Sequence, residues 1–176
     1  MKNTLIVNLY GGPGTGKSTG AAYIFSKLKM AGVDCEYVPE YAKDRTWQGD
    51  HFPLDKCQLY VTGKQALRVA RLNGKVDAII TDSPILLGAL YTDEQPYKDI
   101  CVYEHCKYKN QLNIFLNRIK GYNPNGRNQT EDEAKVLDKK IYTLLDLTFD
   151  NFEIVDAYVN GYDQVVEMVL NKLKEN

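Results

Sequence analysis

The chain has 176 residues, is 44% apolar and carries a formal net charge of −1 at pH 7. This length supports a single domain with a sizeable core and leaves no room for a second full domain. Because the chain is nearly neutral, it lacks the global positive field that marks dedicated binders of nucleic acid or anionic membranes. Its apolar runs are too short for a signal peptide or a membrane span, so we expect a cytoplasmic protein without a membrane partner.

The N-terminal region contains the most specific motif of the sequence. Residues 11–18 read GGPGTGKS and match the pattern G-x-x-x-x-G-K-[ST] in full. The apolar stretch from Thr4 to Tyr10 predicts a buried strand before the motif, and a helical pattern follows it to about Met30, stopped by Gly32. This strand, loop and helix context identifies a phosphate-binding loop, the P-loop, in which backbone N–H groups and the helix N-terminus surround phosphate oxygens.

The P-loop side chains have separate expected roles. Lys17 is expected to reach the β- and γ-phosphates of ATP, and the Ser18 hydroxyl to hold the Mg²⁺ that bridges them. The glycines allow close approach of the backbone and positive φ angles. The alternative is a glycine-rich turn that binds nothing, and the flanking strand and helix argue against it. The predicted nucleotide-binding residues are Gly11, Gly12, Pro13, Gly14, Thr15, Gly16, Lys17, Ser18 and Thr19.

A second strand is predicted at residues 34–38 (DCEYV), where Pro39 ends it. The following residues, 39–53, mix charged, aromatic and turn residues without a clear period, so we expect a loop. Such loops carry the chemistry of α/β sheets, because they lie outside the carboxyl ends of the strands. Glu40 is the candidate catalytic carboxylate that accepts the proton of an acceptor hydroxyl. The alternative is a surface glutamate beside Lys43.

The same loop contains four aromatic residues. They could enclose a flat base in an acceptor pocket, or they could pack in the core, and the sequence favours neither role over the other. They are Tyr41, Trp47, His51 and Phe52.

The middle of the chain continues the alternation of helices and strands. The pattern predicts helices at 54–73, 85–91 and 96–109 and strands at 76–81 and 112–116. Pro84 can open the helix at 85–91, with Ser83 as its cap. Asp82 directly follows the third strand and is the candidate that orients Mg²⁺, through a water molecule. The alternative for Asp82 is an ordinary aspartate at a helix start.

A lid is predicted at about 118–130, where Gly121 and two further turn residues interrupt the chain. Arg118 and Arg127 would belong to this flexible segment, close over the phosphates, exclude water and supply charge in the transition state. The alternative is a solvated basic loop. Residues 98–127 carry six basic and two acidic side chains, a local excess that could guide a polyanion or a nucleotide.

After the lid, Thr130 and Glu133 form a capping box that predicts a helix over residues 131–147. A fifth strand is expected at 153–155 and a last helix at 162–173. Alternating strands and helices with right-handed crossovers predict an α/β fold of three αβα layers, with a five-stranded parallel sheet covered on both faces. Residues 1–176 would form one P-loop domain.

With these residues in view, the chain resembles the P-loop nucleoside and nucleotide kinases. The segment VPEYAKDRTW at 38–47 is similar to the end of strand two in deoxynucleoside kinases and thymidylate kinase, where a glutamate lies among the acceptor contacts. TDSP at 81–84 is similar to their acidic-Arg-Ser or Asp-Arg motif, with Ser83 in place of the arginine. The EYA segment and the aspartate after strand three also resemble the ribosylnicotinamide kinase group.

The chain also resembles bacteriophage kinases with a GGPGTGKST loop, an EYAKD segment and a GRNQTEDEA lid, whose relatives include the 5-hydroxymethyluridine DNA kinases. This resemblance implies a thymidylate-kinase-like fold, ATP, Mg²⁺ and a hydroxyl acceptor on a thymidine-like group. The expected function is therefore transfer of the γ-phosphate of Mg-ATP to the 5-hydroxymethyl group of 5-hydroxymethyluridine in phage DNA, for thymidine hypermodification in the host cytoplasm. Whether the acceptor group is free or within DNA stays open.

Two alternatives remain beside this expectation. The chain could be a kinase of a free nucleoside or nucleoside monophosphate, of the deoxynucleoside, thymidylate or ribosylnicotinamide type, or a non-catalytic nucleotide-binding regulator. Other P-loop classes fit less well, because NKLK at 171–174 lacks the aspartate of the guanine-binding N-K-x-D element. The chain is also short for an AAA-type motor with a helical second domain. A homodimer is compatible with the sequence.

Overall fold

A computed structural model describes residues 1–50, 56–119, 121, 130–149 and 151–175. The strands are β1 Leu5–Tyr10, β2 Cys35–Val38, β3 Ala78–Thr81, β4 Gln111–Asn117 and β5 Glu153–Asp156. The helices are α1 Lys17–Met30, α2 Tyr41–Trp47, α3 Gln58–Ala70, the 3₁₀ helix Ile85–Tyr91, α4 Gln95–Cys106, α5 Glu131–Thr148 and α6 Val159–Glu175. None of these helices is both long and apolar enough to span a membrane, within the described parts of the chain.

The five strands form one parallel sheet in the order β2-β3-β1-β4-β5. Strand β1 lies at the centre, with Leu5 paired to Ala78 of β3 and Ile6 paired to Gln111 of β4. All six residues of β1 are buried, which explains its continuous apolar sequence, because a parallel strand is covered on both faces. The predicted five-stranded α/β fold is confirmed.

Helices cover both faces of the sheet. On one face, Ile24 of α1 and Val165 of α6 belong to the largest apolar cluster. On the other face, Val69 of α3 packs in a second cluster, and Ile141 of α5 packs with the 3₁₀ helix in a third. Because the strands are parallel, their carboxyl ends lie at one edge of the sheet. The P-loop and the segments that follow β2, β3 and β4 therefore lie at this edge.

The structure differs from the expected elements after β2 and β3. The predicted loop at 39–53 contains α2, a helix of seven residues in which Tyr41 is the buried one. A helix with a single buried residue has no apolar period to detect. The predicted helix at 85–91 is a 3₁₀ helix with Pro84, not Ser83, at its N-cap. The N–H of Leu87 bonds the carbonyl of Pro84, three residues back, which is the 3₁₀ spacing.

The capping box before α5 is present as predicted. The Thr130 hydroxyl accepts from the Glu133 N–H at 3.3 Å, and the Glu133 carboxylate accepts from the Thr130 N–H at 2.7 Å. Of the lid predicted at about 118–130, residues 120 and 122–129 lie outside the described residues, and Arg127 is among them.

Candidate active site

The P-loop between β1 and α1 has a backbone that only glycine adopts easily. Gly11, Gly14 and Gly16 have φ angles of +147°, +78° and +110°. A Cβ at Gly16 would lie 2.6 Å from the hydroxyl of Tyr162, which donates a hydrogen bond to the Gly16 carbonyl at 3.1 Å. Side chains at these positions would therefore strain the loop or displace its support.

Two of the predicted nucleotide-binding residues support the loop from within. The buried Thr15 hydroxyl donates to the Gly12 carbonyl at 2.8 Å. The other predicted residues of the P-loop, from Gly11 to Thr19, line a cleft of about 860 Å³, whereas Gly12 and Thr15 do not. The loop thus presents its outer backbone to the cleft and uses Thr15 to keep its shape.

Lys17 lies at the centre of the charged groups. Its ammonium donates to the carbonyls of Gly11 at 2.6 Å and Gly12 at 3.1 Å. Burial lowers the pKa of Lys17, and the negative charges of Glu40 and Asp82 oppose this shift. The two carboxylates that sequence analysis selected therefore converge on the P-loop lysine from the ends of β2 and β3.

Glu40 occupies the N-cap position of α2, but its side chain makes no capping hydrogen bond. Its carboxylate lines the cleft instead. Burial raises the pKa of Glu40, while the charge of Lys17 lowers it. The backbone around Glu40 is held from α3, because Gln65 accepts from the Tyr41 N–H at 2.9 Å and Arg68 donates to the Pro39 carbonyl at 3.0 Å. Glu40 is thus a half-buried carboxylate on a fixed backbone beside the P-loop.

Asp82 is 2% exposed and lies directly after β3. Its Oδ2 accepts from the Tyr37 hydroxyl at 2.7 Å, and its Oδ1 is buried without a hydrogen-bond partner. The helix that follows is capped by Pro84, so Asp82 does not act as the N-cap considered for it. A buried carboxylate oxygen without a partner is costly unless a ligand completes it. Together with the Ser18 hydroxyl, this oxygen fits the oxygen ligands that Mg²⁺ takes.

Burial also acts on the aromatic hydroxyls near these carboxylates. Burial raises the pKa of Tyr37 far above its ordinary value, and the charge of Asp82 adds to the shift. Tyr91 is 51% exposed as a residue, yet burial of its hydroxyl and the charge of Glu40 raise its pKa to about 12. Both hydroxyls therefore keep their protons near neutral pH, and that of Tyr37 donates to Asp82.

Arg118 lies against the P-loop in this structure. Its Nε donates to Asp138 and a terminal nitrogen donates to the Pro13 carbonyl, both at 2.8 Å. Its side chain is 9% exposed, and its other terminal nitrogen, Nη1, is buried without a partner. In this structure Asp138 and Pro13 hold Arg118 beside the nucleotide-binding loop, and its place in a lid stays a prediction.

Asp138 of α5 is a site residue that sequence analysis missed. One of its carboxylate oxygens accepts from the Gly12 N–H and the other from Arg118. A Cβ at Gly12 would lie 2.6 Å from the first oxygen, so glycine is needed for this contact. Asp138 lies in the DKK segment of an amphipathic helix. Nothing in the local sequence distinguishes it from an aspartate that is exposed to solvent.

The cleft continues from the P-loop to an apolar wall. This wall is formed by α3 and the 3₁₀ helix and contains Val61, Leu87, Leu90 and Tyr91. Of the four predicted base-binding aromatics, Trp47 lines the cleft and is 75% exposed. Tyr41 does not line it and packs against Tyr60 and Arg68 instead. His51 and Phe52 lie outside the described residues.

Comparisons with known proteins agree with this architecture. Two structures of deoxyadenosine kinase from M. mycoides match the chain, one with the products dCMP and a flexible dCDP bound and one with bound dATP. The first is 18% identical, covers 97% of this chain and 98% of its own and has a TM-score of 0.55. The second is 21% identical, with coverage of 96% and 99% and a TM-score of 0.54. The crystal structure of APE1195 matches at 18% identity, with coverage of 99% and 97% and a TM-score of 0.50.

At these identities the structural matches show a shared fold. No curated protein sequence gives a significant match. The sequence profile of the family described as "AAA domain" matches residues 6–157. This range includes the P-loop, the five described strands apart from Leu5, and the cleft. This match does not test the expectation that the chain is too short for an AAA-type motor with a helical second domain, which stays a prediction. The chain thus belongs to the AAA domain family of P-loop proteins.

Proposed function

We propose that the protein is an ATP-dependent phosphotransferase that moves the γ-phosphate to a hydroxyl of a nucleoside-type acceptor. The observation that carries this proposal is a single cleft in which the P-loop lysine, the half-buried carboxylate of Glu40 and an apolar wall meet. A protein that only binds a nucleotide does not need a carboxylate on the acceptor side.

The residues divide the work of phosphoryl transfer. Lys17 offsets the charge of the β- and γ-phosphates, and Glu40 accepts the proton of the attacking hydroxyl. Ser18 and the free oxygen of Asp82 would hold Mg²⁺, which neutralises phosphate oxygens when bound. Arg118 keeps one buried nitrogen, Nη1, without a protein partner, so it can add charge beside the P-loop.

The wall of the cleft supports a flat, largely apolar acceptor. Tyr91 and Leu87 supply apolar surface, and the amides of Gln58 and Gln65 lie among the lining residues. Apolar walls with a few polar groups are typical of small-molecule sites. The deoxyadenosine kinase structures contain deoxynucleotides, and the shared fold supports an acceptor of this class.

For the acceptor itself we propose a thymidine-like group, with two forms to be separated by experiment. The likeness to phage kinases supports the 5-hydroxymethyl group of 5-hydroxymethyluridine in DNA. The described geometry supports a free nucleoside or nucleoside monophosphate equally, because none of the basic side chains after residue 97 that the structure describes lines the cleft. Among them, Lys107 pairs with Glu104 and Arg118 with Asp138.

Transfer of radiolabelled γ-phosphate to a panel of acceptors tests the proposal. The panel contains free nucleosides, their monophosphates and DNA bearing 5-hydroxymethyluracil, with unmodified DNA as the matched control. Transfer to at least one acceptor hydroxyl is expected. ATP binding without transfer to any of them would contradict the kinase and favour a regulator.

A salt series then separates the two acceptor forms. If DNA binds through several phosphates, the logarithm of its affinity falls steeply with the logarithm of salt concentration, by about 0.7 to 0.9 for each phosphate neutralised. A free nucleoside has no phosphates to neutralise, so its affinity in the same series should depend less on salt concentration. Equal slopes for the two would remove the DNA acceptor from the proposal.

A further inference from the structure

The hydroxyl of Tyr37 lies between the two residues proposed to hold Mg²⁺. Its ring is half-buried and packs against the apolar cluster on the face of the sheet that α1 covers. The hydroxyl donates to Oδ2 of Asp82 at 2.7 Å. The Ser18 side chain lies close enough to this hydroxyl to act on its pKa, which it lowers against the effect of burial. Tyr37 therefore lies beside both the start of α1 and the end of β3.

The fold explains how these three residues meet. Tyr37 in β2 is paired in register with Ile80 of β3, so Asp82 follows two positions beyond that pair. Ser18 is the second residue of α1 and the last residue of the P-loop motif. Asp82 is 2% exposed, so water does not compete freely for the bond from the tyrosine.

The available protons fix the direction of the bond between Tyr37 and Asp82. A tyrosine hydroxyl has one proton and a carboxylate has none to give, so the Tyr37 proton goes to Asp82. This bond occupies Oδ2 of Asp82 and leaves Oδ1, which is buried without a partner.

We propose that Tyr37 is a positioning residue of the Mg²⁺ site, which holds Oδ2 of Asp82 by a hydrogen bond and leaves Oδ1 of Asp82 for the cation. The inference rests on the proposed function, because it takes Ser18 and Asp82 as the metal-binding pair. Tyr37 itself does not line the cleft. Removing its hydroxyl should therefore weaken the response to Mg²⁺ and leave nucleotide binding in the absence of metal nearly unchanged.

Calorimetric titration of ADP, with Mg²⁺ and with EDTA, tests this role. The measured quantity is the Mg²⁺ enhancement, the ratio of the two ADP affinities. Residues behind metal ligands contribute about 10- to 100-fold to metal affinity, so Tyr37→Phe should reduce the enhancement about tenfold. Tyr23→Phe is the matched control, since Tyr23 also donates to an aspartate, Asp163, at 2.8 Å but does not line the cleft. It should retain the full enhancement.

The affinity for ADP in EDTA is the control for folding, because a variant that keeps a folded P-loop should bind ADP as the wild-type protein does. Asp82→Asn is measured in parallel, alone and combined with Tyr37→Phe. If Tyr37 acts through Asp82, the double variant loses little more than Asp82→Asn does. A full Mg²⁺ enhancement in Tyr37→Phe, beside its loss in Asp82→Asn, overturns the role of Tyr37 and leaves the proposed function standing. No enhancement in the wild-type protein overturns both.

Discussion

Lys17 and Glu40 bring opposite charges into the same part of the cleft, and burial acts against both. Burial lowers the pKa of Lys17 and raises that of Glu40, and each charge partly offsets the shift of the other. A carboxylate with a raised pKa is a better proton acceptor. The pair therefore suits a site that binds phosphate and takes a proton from a hydroxyl a short distance away.

His105 carries a pH dependence that is separate from the cleft. It is 2% exposed, and burial lowers its pKa to about 4 from an ordinary value of 6.5. As the pH falls below 6.5, the unfolded chain takes up the proton first, so the folded state loses stability until about pH 4. A shift of this size corresponds to about 3 kcal/mol. Above pH 6.5 the contribution is fully present.

Urea unfolding at pH 7 and pH 4 of the wild-type protein and His105→Gln measures this effect. Other groups titrate in both proteins, so the informative quantity is the difference in unfolding free energy between them. We expect the unfolding free energy of the wild-type protein, relative to that of His105→Gln, to fall by about 3 kcal/mol between pH 7 and pH 4. A difference that does not change with pH would show that His105 titrates normally.

At the scale of elements, the side chain of Asp138 connects helix α5 to the P-loop. Asp138 accepts from the Gly12 N–H and from Arg118, which in turn bonds the Pro13 carbonyl. Asp138→Ala leaves a buried N–H and a buried guanidinium without their acceptor, at a cost of about 1–3 kcal/mol each. We expect ATP affinity to fall about tenfold, because the loop is no longer held in its binding shape.

Isothermal titration of ATP measures this change. Asp146→Ala is the matched control, because Asp146 is an exposed aspartate on the same helix. It should bind ATP as the wild-type protein does. Unchanged affinity in Asp138→Ala would mean that the P-loop keeps its shape without α5.

The start of α5 depends on the capping box. Thr130→Ala removes the hydroxyl that accepts from the Glu133 N–H, and losing such a cap costs about 1 kcal/mol. Thr148→Ala is the control at the other end of α5, where the hydroxyl only bonds the Leu144 carbonyl within the helix and alanine is the better helix former. Chemical denaturation should show the loss in the first variant alone. Equal losses would indicate that the cap contributes nothing specific.

At the scale of the whole molecule, the parallel sheet could be predicted because its evidence is local. A few adjacent residues are enough to indicate the structure of three features: the continuous apolar run of β1, the glycine-rich loop and the capping box at Thr130. Glu40 and Asp82 could be selected because both directly follow strands, and the carboxyl ends of parallel strands meet at one edge. The structure places both beside Lys17.

What could not be predicted depends on contacts between distant residues. Asp138 reaches the P-loop from 126 residues away, and Tyr37 meets Asp82 across 45 residues. Helix α2 is held by Gln65 and Arg68 of α3 and has no apolar period of its own. Arg118 follows a strand as expected, but only the fold shows that a carboxylate of α5 anchors it.

The central claim is that the cleft transfers phosphate and does not merely bind a nucleotide. It is tested most directly by measuring ATP affinity and γ-phosphate transfer side by side in the wild-type protein and Glu40→Gln, with Lys17→Ala as the variant expected to lose transfer altogether. We expect Glu40→Gln to bind ATP within about twofold of the wild-type affinity and to lose about 10²- to 10⁴-fold in transfer rate. Titration of Glu40 should give the wild-type pH profile an acidic limb, which lies above pH 4.5 because the pKa of Glu40 is raised from that value. The profile of Glu40→Gln should lack this limb. Transfer by Glu40→Gln at the wild-type rate would contradict the assignment.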